Sequence, residues 1–591
     1  MSGLRLFPRP QTVERLGGSC AAASTPRVRD EARLGAEAYE IEISRGGVEI
    51  RCGDARARRY AQQTLDQIRR QCGEELPCLR IRDAPDIPVR GYMLDVSRDR
   101  VPTRATLERL VGLLARLRLN HLQLYTEHTF AYRDHETVWR DASPITEDDV
   151  RTLDRLCTEN GIELVANQNC FGHMERWLRH ERYRALAEAP EGWETRWGRR
   201  QSPSVIAPTD ESLALVRGLF DELLPSFSSR CVNVNCDEPF ELGKGRSREE
   251  VERRGRGAVY LEFLEKILAP LHEQGRHVLF WGDILRLHPE LLGELPREDT
   301  TALVWHYEAP TDPGRLPDEF FDILGDFGID REAVRGFVGQ ARPFIEAGYP
   351  FWVCPGTSSW NSLVGRLPNA RANLLDAARQ GTAHGAGGYL ITDWGDGGHL
   401  QPPSVSFPPL AYGAAVSWCL ETNGDVDTAA FLDEEVFADP TGRLATALEA
   451  AGDLYRKAGA TPFNGSVLHY NLLGGGLSFL ARLTGLPTRE GLSAVVDEIG
   501  EITAGIESSR PACEDAEIVR RELSCAARLA RHGAWRSARA GEFSAPPVDV
   551  LRRDLAEAIE EQKRCWLERS RPGGLADSIA RLEGTLAEYG A

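Results

Sequence analysis

No stretch of about 18 apolar residues occurs in this 591-residue chain, so no membrane-spanning helix and no membrane partner are expected. Positive charge is also in deficit. With Lys+Arg at 71 against Asp+Glu at 89, the formal net charge of −18 argues against a broad nucleic-acid surface, which needs clustered cations to replace condensed counterions. The 13 cysteines, scattered from Cys20 to Cys565, never fall into paired metal-ligand spacing. Free buried thiols in a reducing compartment are the simplest reading, with no metal and no cofactor. The opening Met1-Ser2-Gly3-Leu4-Arg5-Leu6-Phe7-Pro8 has no long apolar segment after its basic residue, so a secretory leader is not expected and a cytoplasmic location is.

What is present is a long alternation of strand and helix patterns. Residues 36 to 86 read as a small α/β unit: 39–43 and 48–52 alternate around Gly46-Gly47 as a hairpin, a helical stretch follows over 55–70, and 79–81 returns to strand pattern. From residue 87 the pattern repeats eight times. The first predicted strand ends at 95, within the run 86–95, and further strands are predicted at 120–125, 162–166, 232–235, 278–281, 302–305, 351–354 and 388–392. Helices are predicted at 107–119, 147–159, 212–223, 258–273, 284–292, 331–347, 370–379 and 410–419. Eight such repeats point to a (β/α)₈ barrel over residues 87–424. A doubly wound sheet is the structural alternative, and the absence of Gly-x-Gly-x-x-Gly after the first strand weighs against it. Residues 1–86 form the small α/β domain ahead of the barrel. After 425 strand signals fade into amphipathic helices at 445–458, 472–483, 492–508, 514–532, 548–568 and 575–589, a helical C-terminal domain. Packing against the barrel or against a second copy in a homodimer would equally bury their apolar faces.

In such a barrel, side chains at the C-terminal ends of the strands converge on one mouth. Reading those ends in turn gives Asp95, Glu127, Asn167 with Asn169 and His173, Asp237 with Glu238, Trp281 with Asp283, Trp305, Trp360 with Asn361, and Asp393 to Asp396. Tryptophan walls surrounded by carboxylates suit the faces and hydroxyls of a sugar. Cleavage of a glycosidic bond needs a proton donor and a group that stabilises an oxocarbenium-like transition state. Two separated carboxylates usually serve, yet Asp237 and Glu238 are neighbours, and neighbours on a regular strand point to opposite sides.

The ordered set resembles glycoside hydrolase family 20, the β-N-acetylhexosaminidases. Val89-Arg90-Gly91-Tyr92-Met93-Leu94-Asp95-Val96-Ser97-Arg98 is similar to the family's first barrel strand, and Ile81-Arg82-Asp83-Ala84-Pro85 to the end of its preceding small domain. Phe171-Gly172-His173 resembles its Pro-Gly-His, Asp237-Glu238 its catalytic pair, Trp281 and Trp305 its tryptophans on strands five and six, and Trp394-Gly395-Asp396 its Trp-x-Glu. The resemblance covers about residues 36 to 420 and implies substrate-assisted hydrolysis of terminal GlcNAc or GalNAc with retention, in which the substrate's 2-acetamido oxygen attacks the anomeric carbon. By the same matching, Glu238 is the acid and base and Asp237 orients the acetamide. Arg90, Glu127 and Asp396 meet the sugar hydroxyls or the pair, His173 supports the pair, and Trp281, Trp305, Trp360 and Trp394 wall the pocket.

Three departures stand out. Asn233-Val234-Asn235-Cys236 replaces the family's His-x-Gly-Gly, and Ala166-Asn167-Gln168-Asn169 replaces its Pro-Glu-x-Asp. Ser359-Trp360-Asn361-Ser362 stands where the family carries the tyrosine that bonds the acetamide, and Tyr307 is the candidate replacement. A catalytically silent carbohydrate-binding barrel and a glycosidase for another sugar are the competing readings.

Overall fold

The computed structural model describes residues 3–194, 200–325, 328–474 and 485–590. In the small N-terminal domain, alternate residues of the strands Tyr39–Ser44 and Gly47–Cys52 are buried, which places Tyr39, Ile41, Ile43, Val48, Ile50 and Cys52 on one face. Helix Ala55–Cys72 covers that face with Tyr60, Ala61, Leu65 and Ile68, and Asp54 caps it by accepting a 2.7 Å bond from the Ala57 N–H. The sheet has five strands, in the order Thr12–Ala21, Glu75–Asp83, Tyr39–Ser44, Gly47–Cys52, Arg27–Asp30. The first and last of these were not expected from the sequence. Their side chains are almost all exposed, so neither carries the apolar alternation that marks a half-buried strand.

Eight parallel strands then close into a barrel: Val89–Asp95, His121–Tyr125, Glu163–Asn167, Cys231–Asn233, His277–Trp281, Thr300–Trp305, Phe351–Cys354 and Gly388–Asp393. Met93, Val165, Leu279, Leu303, Trp352 and Leu390 fill its interior, while a larger apolar layer packs between the strands and the surrounding helices. Threonines start three of those helices by accepting from backbone N–H groups: Thr103 for Arg104–Arg116, Thr146 for Glu147–Glu159 and Thr209 for Asp210–Leu223. The predicted helix at 284–292 is in fact two shorter turns, Asp283–Leu287 and Pro289–Gly293, because Pro289 removes the N–H that would continue the first.

The C-terminal helices Arg489–Ser508, Ala516–Ala540, Val548–Arg569 and Leu575–Glu588 pack against the barrel. Backbone bonds run from Thr103 N–H to the Arg569 carbonyl (2.9 Å), from Arg571 N–H to the Val101 carbonyl (2.8 Å) and from Ser466 N–H to the Asn361 carbonyl (2.8 Å). The last of these brings the tail to the barrel's C-terminal mouth. The helix expected at 472–483 falls mostly on residues 475–484, which lie outside the described residues.

Candidate active site

The fourth barrel strand ends at Asn233, and the chain then breaks from extended geometry. Asn235 (φ 57°), Cys236 (φ 65°) and Glu238 (φ 46°) all lie in the left-handed region, which non-glycine residues enter only where surrounding contacts hold them. Those contacts are visible. The Tyr260 hydroxyl donates to the Cys236 carbonyl at 2.9 Å, and the Glu238 N–H donates to Asp283 Oδ2 at 3.1 Å. Gly172 packs so closely that a Cβ there would stand 2.2 Å from the Asp237 carbonyl oxygen. The broken backbone turns both neighbouring carboxylates to one side. His173 Nε2 lies 3.3 Å from Asp237 Oδ2 and 3.3 Å from Glu238 Oε2.

Electrostatics follow from that convergence. Burial alone would lower the His173 imidazole, but the charge of Asp237 and bonds to both carboxylates outweigh it and hold it well above the ordinary histidine range. An imidazolium therefore bridges the two acids. Asp283, behind them, is pushed up to about 8 by burial and then by repulsion from Asp237 and Glu238, so it carries a proton at neutral pH.

Beneath the pair the unusual Asn-Val-Asn-Cys run builds an uncharged ladder inside the barrel. Asn167 and Asn233 donate to Gln123 Oε1 at 2.8 and 2.9 Å, Asn235 donates to Asn167 Oδ1 at 2.8 Å, and Trp281 Nε1 donates to Asn235 Oδ1 at 2.8 Å. Amide side chains thus fix Trp281 and the start of the acid turn without formal charge, which accounts for two of the departures from the family pattern at once. The polar groups of a buried network have to be satisfied in this way.

A cavity of about 1010 Å³ opens above the pair. It brings together Asp237, Glu238, His173, Trp281, Trp305, Tyr307, Trp360, Trp394 and Asp396, nine of the residues expected from the sequence. Tyr307 stacks on Trp305 (5.2 Å, 18°) and meets Trp360 and Trp394 edge to face at 5.2 and 6.3 Å. Asp237 Oδ1 and Trp394 Nε1 are buried and have no hydrogen-bond partner, so the site holds an acceptor and a donor for a ligand.

Two expected residues are elsewhere. Arg90 is the second residue of its strand and therefore lies at the opposite, N-terminal end of the barrel. It is fully buried there, paired with Glu37 at 2.6 Å and donating to the carbonyls of Ile87, Pro88 and Arg118. The cavity's arginine is Arg98, which follows the strand's C-terminal end: Nη1 stands 3.3 Å from Asp396 Oδ1 and 3.1 Å from Asp95 Oδ2, and the guanidinium lies 5.0 Å from the Trp394 ring centre. Glu127 does not line the cavity either. Its carboxylate turns back to accept from the Arg176 N–H at the start of the short helix Glu175–Leu178.

Further site residues went unrecognised in the sequence. Asn464, from the C-terminal region, accepts from Trp360 Nε1 at 2.8 Å, and its own N–H donates to Glu308 Oε1 at 3.1 Å, with Phe463 beside it in the cavity wall. Nothing local marks them, because their role depends on the tail folding back across the mouth. Among the described residues no group of three or more His, Cys, Asp and Glu side chains is placed to hold a metal ion.

Comparison with known proteins agrees with this geometry. Residues 88–315 match the model described as glycosyl hydrolase family 20, catalytic domain, and residues 21–84 match that family's domain 2. The chain is 27% identical over 222 residues to hexosaminidase D of Bos taurus, covering 36% of this chain and 61% of that protein. It is 24% identical over 315 residues to a beta-hexosaminidase of Akkermansia muciniphila, covering 48% of this chain and 63% of the other. The matches thus span about three-fifths of those relatives' length. Among solved structures, a Flavobacterium johnsoniae chitobiase superposes with a TM-score of 0.56 at 14% identity, covering 98% of this chain and 99% of that one. A Vibrio harveyi exo beta-N-acetylglucosaminidase in complex with N-acetylglucosamine gives 0.54 at 16%, covering 76% and 78%. The family matches take in the small domain and the first six barrel strands, including the turn that carries Asp237 and Glu238, and over these residues the chain is similar, at low identity, to glycosyl hydrolase family 20.

Proposed function

We propose that the protein is a retaining exo-β-N-acetylhexosaminidase that removes terminal GlcNAc or GalNAc by substrate-assisted catalysis. One observation carries the reading. Two carboxylates adjacent in sequence are turned to the same side, onto one imidazolium, above a pocket walled by tryptophan.

In this mechanism the neighbours have different tasks. The free Oδ1 of Asp237 accepts from the acetamide N–H, and its charge stabilises the positive oxazolinium-like intermediate as the acetamido oxygen attacks the anomeric carbon. Glu238 must take up a proton before the step, gives it to the leaving oxygen and then takes one from water. His173 holds both carboxylates in register. Trp281, Trp305 and Trp394 enclose the acetamido methyl and the ring face, while Arg98 and Asp396 take the hydroxyls at the closed end through charge-assisted bonds. Tyr307 and Trp394 Nε1 are the donors within reach of the acetamide oxygen in place of the family's strand-seven tyrosine. The hexosaminidase names of the related proteins support the same reading.

Replacing Glu238 with Gln removes the proton donor. A chromogenic β-GlcNAc glycoside should be cleaved by the wild-type protein and roughly 10²–10⁴-fold more slowly by Glu238→Gln, and a thiazoline analogue of the intermediate should inhibit the wild type. Equal rates for the two proteins would overturn the assignment, and absence of turnover in both would favour a carbohydrate-binding barrel.

A further inference from the structure

The cavity is larger than its tryptophan-walled end. At about 1010 Å³ it reaches the top of the roughly 300–1,000 Å³ span of pockets that enclose a drug-sized ligand. Its lining also takes in Asp283, which accepts from the Glu238 N–H, and a chamber of apolar side chains from the neighbouring elements. Phe240, Leu242, Ile284, Leu287, Val304 and Phe344 line it. They come from the loop after Glu238, the helix Asp283–Leu287, the sixth strand and the helix Phe337–Ala347. Exposed Glu194 and Lys244 mark where the cavity opens to solvent.

Arg256 also lines the cavity and donates to the Pro239 carbonyl at 2.8 Å, while two further polar groups here are uncharged. Asp283 is held protonated at neutral pH, and burial followed by the nearby Arg286 pushes the His306 imidazole down to about 4. Arg286 pairs with Asp330 at 2.9 Å. His306 Nε2 and Asp283 Oδ1 are buried without partners, so neither is tied up by the protein. A second sugar presents several hydroxyls, each needing a partner once desolvated, and beyond these few polar groups the aliphatic walls supply none. An apolar group gains from the same walls.

Because Glu238 protonates the leaving oxygen, whatever that oxygen carries must extend past Glu238, away from Arg98 and Asp396. We infer that this chamber is the aglycone subsite and that it accepts an alkyl or aryl aglycone in preference to a second sugar, so that the substrates are β-N-acetylhexosaminides of apolar alcohols. The inference rests on the hydrolase reading of the tryptophan-walled end, and its test separates the two.

The test is a series of non-hydrolysable S-alkyl β-thioglycosides of GlcNAc from methyl to octyl, measured for Kd on the full chain, alongside kcat/KM for the matching O-alkyl glycosides, whose leaving groups differ little in acidity. Each fully buried methylene is worth about fourfold. The octyl ligand should therefore bind at least about 50-fold tighter than the methyl one, and kcat/KM should rise in parallel. Leu287→Asp should cut the octyl-to-methyl ratio below about 5, and Ile284→Ser should lower it independently. Octyl and methyl ligands within about threefold of each other in Kd would overturn the chamber assignment while leaving hydrolysis standing. So would a wild-type ratio in both variants. A steep Kd series without turnover would support the chamber and overturn the hydrolase reading.

Discussion

The two ends of the barrel handle buried charge in opposite ways. At the N-terminal end two buried arginines have matched partners: Arg90 lies against Glu37 at 2.6 Å, and Arg118 against Asp83 at 2.9 Å, with Tyr39, Thr64 and the Trp418 ring around it. At the C-terminal mouth Asp237 and Glu238 meet one imidazolium with Asp283 behind them, Asp237 Oδ1 is left without a partner, and three non-glycine residues of the acid turn hold left-handed backbone. Satisfied pairs stabilise the junction with the small domain. Groups in tension are the ones available for chemistry, and barrel folds place that chemistry at the C-terminal ends of the strands.

Two arginines only eight positions apart break the comparison most strongly. Arg90→Met leaves Glu37 buried with its main partner gone, and breaking such a pair costs about 3–5 kcal/mol. Chemical denaturation should record that loss, while kcat/KM of the folded protein stays within threefold. Arg98→Met should do the reverse. Losing its bonds to a sugar and to Asp396 should lower kcat/KM by roughly 10- to 100-fold, as expected for one charge-assisted interaction, with a smaller change in stability. If Arg90→Met instead abolished activity in a stably folded protein, the two ends would not be separated in this way.

A smaller effect sharpens the picture at the mouth. The Asp283 carboxyl titrates at about 8 in the fold against roughly 3.9 in an unfolded chain. The folded state therefore holds a proton that the unfolded state releases, so stability is fully present below pH 4 on this account and is lost as pH rises towards 8. The slope is at most about 1.4 kcal/mol per pH unit. Asp283→Asn keeps an acceptor for the Glu238 N–H and cannot ionise. Its unfolding free energy should decline less than the wild type's between pH 5 and 8, and an identical decline in both would show that Asp283 is already charged.

The barrel was legible from the sequence because its strands are short apolar runs separated by strongly periodic helices, and 351–354 and the helix 147–159 coincide with the structure residue for residue. The exposed strand Thr12–Ala21 was not, since it buries almost nothing. At the site, the tryptophans, Asp237, Glu238, His173 and Asp396 were readable as strand ends. Arg90 was misplaced although its position in a strand of seven residues, at about 3.3 Å each, already separates it from the mouth by most of the barrel's height. Glu127 sits at a strand end yet spends its carboxylate on a backbone N–H, which no local pattern announces. The shared facing of Asp237 and Glu238 depends on left-handed residues held by Tyr260, Asp283 and Gly172, contacts made across the fold. Asn464 reaches the cavity only because the C-terminal region returns to it.

The central claim is that Asp237 and Glu238 act through the substrate's own acetamido group. It is tested most directly by comparing kcat/KM for an aryl β-GlcNAc glycoside with that for the same aryl β-glucoside, which has a hydroxyl in place of the acetamide. The account predicts turnover of the first and a rate for the second at least about 10³-fold lower, since well-placed intramolecular nucleophiles contribute several orders of magnitude. Comparable rates for the two would contradict it.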